Sequence, residues 1–194
     1  MPLFPATDAA NATFEDIDAN QASLHSRQFT DCTFSRCKFD GTDFTGSKFY
    51  DCTFDHCVFS LSKLTNVSFR DVRFVNSKLV GIDFRACASS MMFHFDFDQC
   101  LIDTCNFSGL ALERTAFTSS IIRECRFVET ILTEADFSRS DLEQTLFHQC
   151  KLERADFSYA KNYALDPTTN LLKGARVSLP EALSLLSALG VEIV

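Results

Sequence analysis

Apolar and polar positions along this chain repeat every five residues. Phe29, Phe34, Phe39, Phe44, Phe49, Phe54 and Phe59 stand five apart, and the series runs on through Leu64, Phe69, Phe74, Leu79 and Phe84. Backward it reaches Leu24 and Phe14, with Ala19 as a weak member. After Phe84 the register breaks once, then resumes as Phe97, Ile102, Phe107 and Leu112 and holds to Phe157. A second inward position lies two residues before each centre and is filled by small residues such as Cys32, Cys37, Thr42, Ser47, Cys52 and Ala135. Two same-side residues flanking one outward residue are strand geometry. A period of five instead of two means that the chain turns a corner in every unit, which neither an amphipathic helix nor a flat sheet does. The pattern predicts an all-β parallel solenoid: the large centre and its small partner fill the interior, and the other three residues face water. The centres from Leu24 to Phe84 and from Phe97 to Phe157 number 26. At ~1.5–3 kcal/mol gross for each large side chain buried, they are read as core and not as a site.

The same pattern divides the chain. Residues 1–11 are a lead-in, 12–84 a first coil stack, 85–96 a bend or short bulge, 97–161 a second coil stack, and 162–194 a C-terminal cap and dimerisation segment. The break is two repeats plus three extra residues, and its Met91, Met92, Phe93 and Phe95 are suited to an irregular core; an exposed partner-binding bulge carrying His94 is the other reading. In the last segment Ser178-Leu179-Pro180-Glu181 reads as a capping box with Pro in the first helical turn. A helix over about 179–189 follows, stopped by Gly190, with Val191–Val194 as a short strand. Its leucines are too many for one solenoid end to cover. Leu179, Leu183, Leu186 and Leu189 are therefore expected in a twofold homodimer interface.

Composition narrows the chemistry. The 194 residues carry 21 Phe, 9 Cys and no Trp, with a formal net charge of −8. Direct binding to nucleic acid is disfavoured, because it needs clustered Lys and Arg to release counterions. No apolar run approaches the ~20 residues of a membrane span, so no membrane partner is expected. The opening residues Met1 to Asp8 lack the regions of a signal peptide, which suggests a cytoplasmic location with reduced thiols. All nine cysteines fall in the small inward slot, at spacings unlike zinc sites, so structural thiols and no metal are expected. The histidines, His25, His56, His94 and His148, are scattered, and no catalytic or phosphate-binding motif is present. A convex rod offers no pocket for acid and base. No enzyme activity, catalytic residue or cofactor is expected.

The units Cys-Thr-Phe-Ser-Arg, Cys-Lys-Phe-Asp-Gly, Ala-Asp-Phe-Ser-Arg, Ser-Asp-Leu-Glu-Gln and Ala-Asp-Phe-Ser-Tyr resemble those of pentapeptide-repeat proteins, over about residues 12–161. The resemblance implies a right-handed quadrilateral β-helix with four repeats per coil. At ~4.8 Å per strand the 26 centres would then make a rod of roughly 31 Å. The C-terminal segment is similar to that of albicidin-resistance and microcin-immunity members, and more loosely to Qnr proteins. This implies a DNA mimic that binds bacterial DNA gyrase, with topoisomerase IV as a second target, and protects it from a gyrase-poisoning antibiotic or toxin. The short break favours albicidin-like or microcin-like poisons over quinolones. A structural interaction scaffold with an unrelated protein partner is the alternative.

Four repeats per coil would stack residues twenty apart. Asp31, Asp51 and Asp71 then form one acidic column; Asp136 and Asp156 form a second, in line with Asp96, with Glu134, Asp141 and Glu143 nearby. Like charges about 4.8 Å apart repel by roughly 1–3.5 kcal/mol at effective dielectric constants of about 80 to 20. Such columns do not help a rod to fold. They are either screened surface or, as the resemblance implies, the gyrase-binding acidic face.

Overall fold

The computed structural model describes residues 8–87 and 94–192. It is a four-sided parallel β-solenoid in which each unit contributes a strand of two to four residues, or a single bridge, and a corner. The strand Thr33–Ser35 is typical: only its middle residue, Phe34, is buried. Corners fall two residues after each centre, at Asp31, Arg36, Asp51, His56, Leu61 and Asp71 among others, all with φ near +50°. The left-handed conformation costs a non-glycine residue roughly 1–2 kcal/mol. Here most corner amides are bonded to the coil above, as Asp31 N donates to Tyr50 O at 3.0 Å. At Gly81 the absent Cβ also matters, because the Leu61 side chain of the coil below leans to within 2.7 Å of where it would stand.

Pairing fixes four units per coil. Phe14, Phe34, Phe54 and Phe74 are register partners at offsets of twenty. Phe74 then pairs with Phe97, twenty-three on, and the column resumes through Phe117, Phe137 and Phe157. Rings stack along such columns, as Phe34 on Phe54 at 4.6 Å and Phe117 on Phe137 at 4.8 Å, and meet edge to face across the shaft, as Phe137 and Phe147 at 5.5 Å. In the second half Phe alternates with Leu or Ile because like residues stack on like in each of the four columns.

The small slot is more than a gap. All nine cysteines are buried, and most of the small slot residues donate to the carbonyl oxygen of a centre one coil below. Thr42 Oγ1 bonds Ala19 O at 2.7 Å, Cys57 Sγ bonds Phe34 O at 3.3 Å, and Thr145 Oγ1 bonds Ile122 O at 2.8 Å.

The break is absorbed within one coil. Phe84–Ala86 form a turn of 3₁₀ helix, with the Asp83 carboxylate accepting from Arg85 N. The strand Phe95–Asp98 re-enters in register, with Phe95 opposite Val72, so Phe95 fills the small slot and its ring meets Phe97 at 5.2 Å. Met91, Met92 and Phe93 lie outside the described residues. Two sheets run uninterrupted across this level: Val72–Val75, Phe95–Asp98, Phe117–Thr118, and Lys78–Val80, Leu101–Asp103, Ile121–Arg123.

The C-terminal segment departs from expectation. Parallel pairing continues past Asn162: Ala164 lies against Leu146, Leu171 against Lys151, and Arg176–Val177 against Asp156–Phe157. Asn170 takes the cysteine slot, accepting from Cys150 N at 3.0 Å and donating to Phe147 O at 3.1 Å. The helix is only Leu183–Ala188, and Ala182 stands at its N-cap with no side-chain bond. The capping box does not form because the Ser178 hydroxyl is engaged elsewhere, accepting from Tyr159 N at 3.0 Å to close the last corner. Gly190 ends the helix at φ +75°. Val191 and Glu192 are not in a strand, and residues 193 and 194 lie outside the described ones.

Candidate functional site

One corner of the rod carries the acidic column. Asp31, Asp51 and Asp71 occupy successive corner positions, and the offset of twenty-three puts His94 next above Asp71 and Arg114 above His94. Glu134 and Arg154 continue the line. Beside it Asp51, Asp71 and His94 form one wall of a groove, and Thr53, Arg73 and Asp96 the other; its volume is about 280 Å³. The His94 ring reaches from its own wall toward the other, Nδ1 3.5 Å from Asp71 and Nε2 3.8 Å from Asp96. Asp96 also accepts from Ala116 N at 2.8 Å. Asp51 meets Arg70 at 3.5 Å, and that guanidinium lies over the Tyr50 ring. Asp31 is exposed and has no ion pair among the described residues.

The other predicted acids have partners. Glu134 is clasped by Arg114 at 2.8 Å and Arg154 at 2.7 Å, and the Arg114 hydrogen bond holds its carboxyl below the usual range. Asp136 and Asp156 do stack in line with Asp96 across Ala116, but each accepts from the amide two residues on, and Asp156 also pairs with Arg176 at 2.9 Å. Asp141 lies on the adjacent face, between Ile121 and Lys161, and accepts from Asn162 Nδ2 at 2.8 Å. Glu143 meets Arg123 at 3.4 Å. The geometry thus gathers Asp51, Asp71 and Asp96 into one groove and leaves Asp141 and Glu143 apart from Asp136. Thr53 and Arg73 are groove residues that the periodicity does not single out; each stands two places after an acid of the column, which is the signal that could have found them.

Among the described residues, no cluster of His, Cys, Asp or Glu is arranged to hold a metal ion, and no helix is long and apolar enough to cross a membrane.

A four-sided parallel solenoid of five-residue units defines the class, and sequence comparison agrees. The chain matches the pentapeptide repeat region family over residues 27–100, and pentapeptide repeats over 105–149 and 130–161. It belongs to the pentapeptide-repeat family. No curated protein matches it in sequence. Among solved structures it is similar to two trypsin-treated point variants of QnrB1, described as a plasmid-mediated fluoroquinolone resistance protein. One, with a methionine replaced by arginine, gives a TM-score of 0.73 at 17% identity, covering 97% of this chain and 98% of that one. The other, with an arginine replaced by glutamate, gives 0.63 at 17% identity, covering 96% and 100%. At this identity the likeness is one of fold.

Proposed function

We propose that this protein, as a homodimer, binds the basic DNA-binding surface of bacterial DNA gyrase, with topoisomerase IV as a second target, and shields the enzyme from a poison. The observation that carries this reading is the contrast along one corner. Glu134 is neutralised from both sides, whereas Asp31, Asp51 and Asp71 are stacked with only long contacts, at 3.5 Å, to Arg70 and His94. Carboxylates repeated at about 4.8 Å repel one another. A basic partner would relieve that repulsion. Duplex DNA carries about one charge per 1.7 Å of axis, well above a net −8 on the whole chain, so the resemblance to DNA is confined to this corner and groove. The fold likeness to a fluoroquinolone resistance protein adds support for a role in drug resistance.

Gyrase supercoiling titrated with the protein tests the reading, alone and with albicidin, a microcin or a quinolone. Direct inhibition at high protein, or protection against a poison, is expected. Curves unchanged in every arm would favour a scaffold with an unrelated partner.

A further inference from the structure

Six of the nine cysteines stand one directly above another. Cys32 and Cys52, Cys37 and Cys57, and Cys105 and Cys125 are each one coil apart, beside the register partners Thr33 and Thr53, Lys38 and Val58, and Asn106 and Arg126. The coils are bonded at the cysteines themselves: Thr53 N donates to Cys32 O at 2.9 Å, Val58 N to Cys37 O at 3.0 Å and Arg126 N to Cys105 O at 3.0 Å. Strands paired in this way stand ~4.8 Å apart, inside the ~4.4–6.8 Å between Cα atoms that a disulfide spans. In two of the pairs the sulfurs already meet, Cys37 being hydrogen-bonded to Cys57 and Cys105 to Cys125. Each pair is also isolated, because no third cysteine lies one coil above or below it. The other three thiols have no such neighbour. Cys100 lies between Ser77 and Ser120, and Cys150 between Thr130 and Asn170. Cys87 has Val67 twenty residues before it and Leu110 twenty-three after.

We propose that these three stacked pairs are disulfide sites, closed by exchange with a low-molecular-weight disulfide, and that their closure locks adjacent coils of the rod together. The inference goes beyond the reading above and needs no part of it. With oxidised glutathione the exchange has two steps. A thiolate of one cysteine attacks a glutathione sulfur, the glutathione S–S bond breaks, and one glutathione leaves as a thiolate that takes up a proton. The thiolate of the stacked partner then attacks the protein sulfur of the mixed disulfide, the Sγ–Sγ bond forms, and the second glutathione leaves. Each pair loses two electrons and two protons, and one glutathione disulfide becomes two thiols. Because all six sulfurs are buried, the first attack takes place while a coil is open, and closing the coil brings the partner sulfur into line. Each bond closes a loop of ~20 residues, which narrows the unfolded ensemble and favours the folded rod.

Refolding of the full chain from urea in a buffer of reduced and oxidised glutathione provides the test, beside a control refolded in dithiothreitol. Peptide mapping of the oxidised chain should show Cys32 joined to Cys52, Cys37 to Cys57 and Cys105 to Cys125, with Cys87, Cys100 and Cys150 still alkylated as free thiols. The oxidised chain should keep its β circular dichroism and melt at least ~5 °C above the control. Cys57→Ser should lose one bond and leave Cys37 free, with the other two bonds intact. Where the dithiothreitol control fails to refold, the native chain held to equilibrium in the same glutathione buffer gives the same readout, since the final pairing does not depend on the route. Six or more free thiols at equilibrium, a bond to Cys87, Cys100 or Cys150, a Cys37 that turns to Cys32 or Cys52 in Cys57→Ser, or an oxidised chain without β signal would each overturn the proposal.

Discussion

Size alone would let alanine fill every small slot, as it does at Ala135 and Ala155, yet most of these positions hold Cys, Ser or Thr. The hydrogen bonds explain the preference: a short donor satisfies a carbonyl that would otherwise be buried with one bond fewer. Thr42→Val should therefore cost about 1–3 kcal/mol in thermal or urea denaturation, and Thr42→Ser much less. Burial raises most of the thiols, though Cys37 is lowered by its bond with the stacked Cys57. Burial pushes Cys52 and Cys100 up to about 12, and Cys125 is raised by its bond with the stacked Cys105 and by burial. All nine should resist a thiol reagent in the native state and react on unfolding, and chelators should leave stability unchanged; rapid native labelling would contradict the interior placement. The sequence showed the size of the slot plainly and its hydrogen bonding not at all, because donor and non-donor residues share it. The acids divide likewise. The offset of twenty that stacks Asp31, Asp51 and Asp71 also sets Glu134 between Arg114 and Arg154, but that both arginines lean in to clasp it is seen only in the structure. Because that clasp lowers the folded-state carboxyl, its contribution is present above the ordinary glutamate range and is lost as pH falls through the lowered value. Glu134→Gln should thus lower stability slightly at neutral pH, make no difference below the lowered value, and so flatten the acid limb of a stability–pH profile.

At the level of strands and corners, a five-residue period with alternating large and small inward positions sufficed to predict the solenoid, since each corner and strand is set locally. Where the period fails, prediction failed with it. The three extra residues after Phe84 could be counted, but only the register of Phe95 against Val72 shows that an aromatic ring enters the small slot and that His94 continues the acidic corner. The capping box misled for a related reason: Ser178 has two possible uses, and the open amide at the last corner claims its hydroxyl before the helix does. The coil likewise runs past Asn162 because Asn170 can replace a cysteine's donor with its own amide. The regular strands are correspondingly sensitive to ring loss. Phe54 stacks on both Phe34 and Phe74, so Phe54→Ala should cost about 3–5 kcal/mol by denaturation, and Phe54→Leu clearly less.

Across the whole molecule, a continuous aromatic core makes a stiff rod whose outward residues are free to vary, and the informative feature is where charge is left uncompensated. Most predicted acids are bonded within the chain. The corner of Asp31, Asp51 and Asp71, with Asp96 across the groove, is the place where carboxylates stack with little help. Replacing Asp31, Asp51 and Asp71 together by Asn keeps size and removes the repulsion, so the melting temperature should be unchanged or slightly higher. The same triple variant, set beside the parent in a gyrase binding titration at two salt concentrations, tests the central claim most directly. Weaker binding and a shallower dependence on salt are expected of the variant, with its fold intact. Equal affinity and equal salt dependence for the two proteins would contradict that claim and leave the corner an ordinary solvated edge.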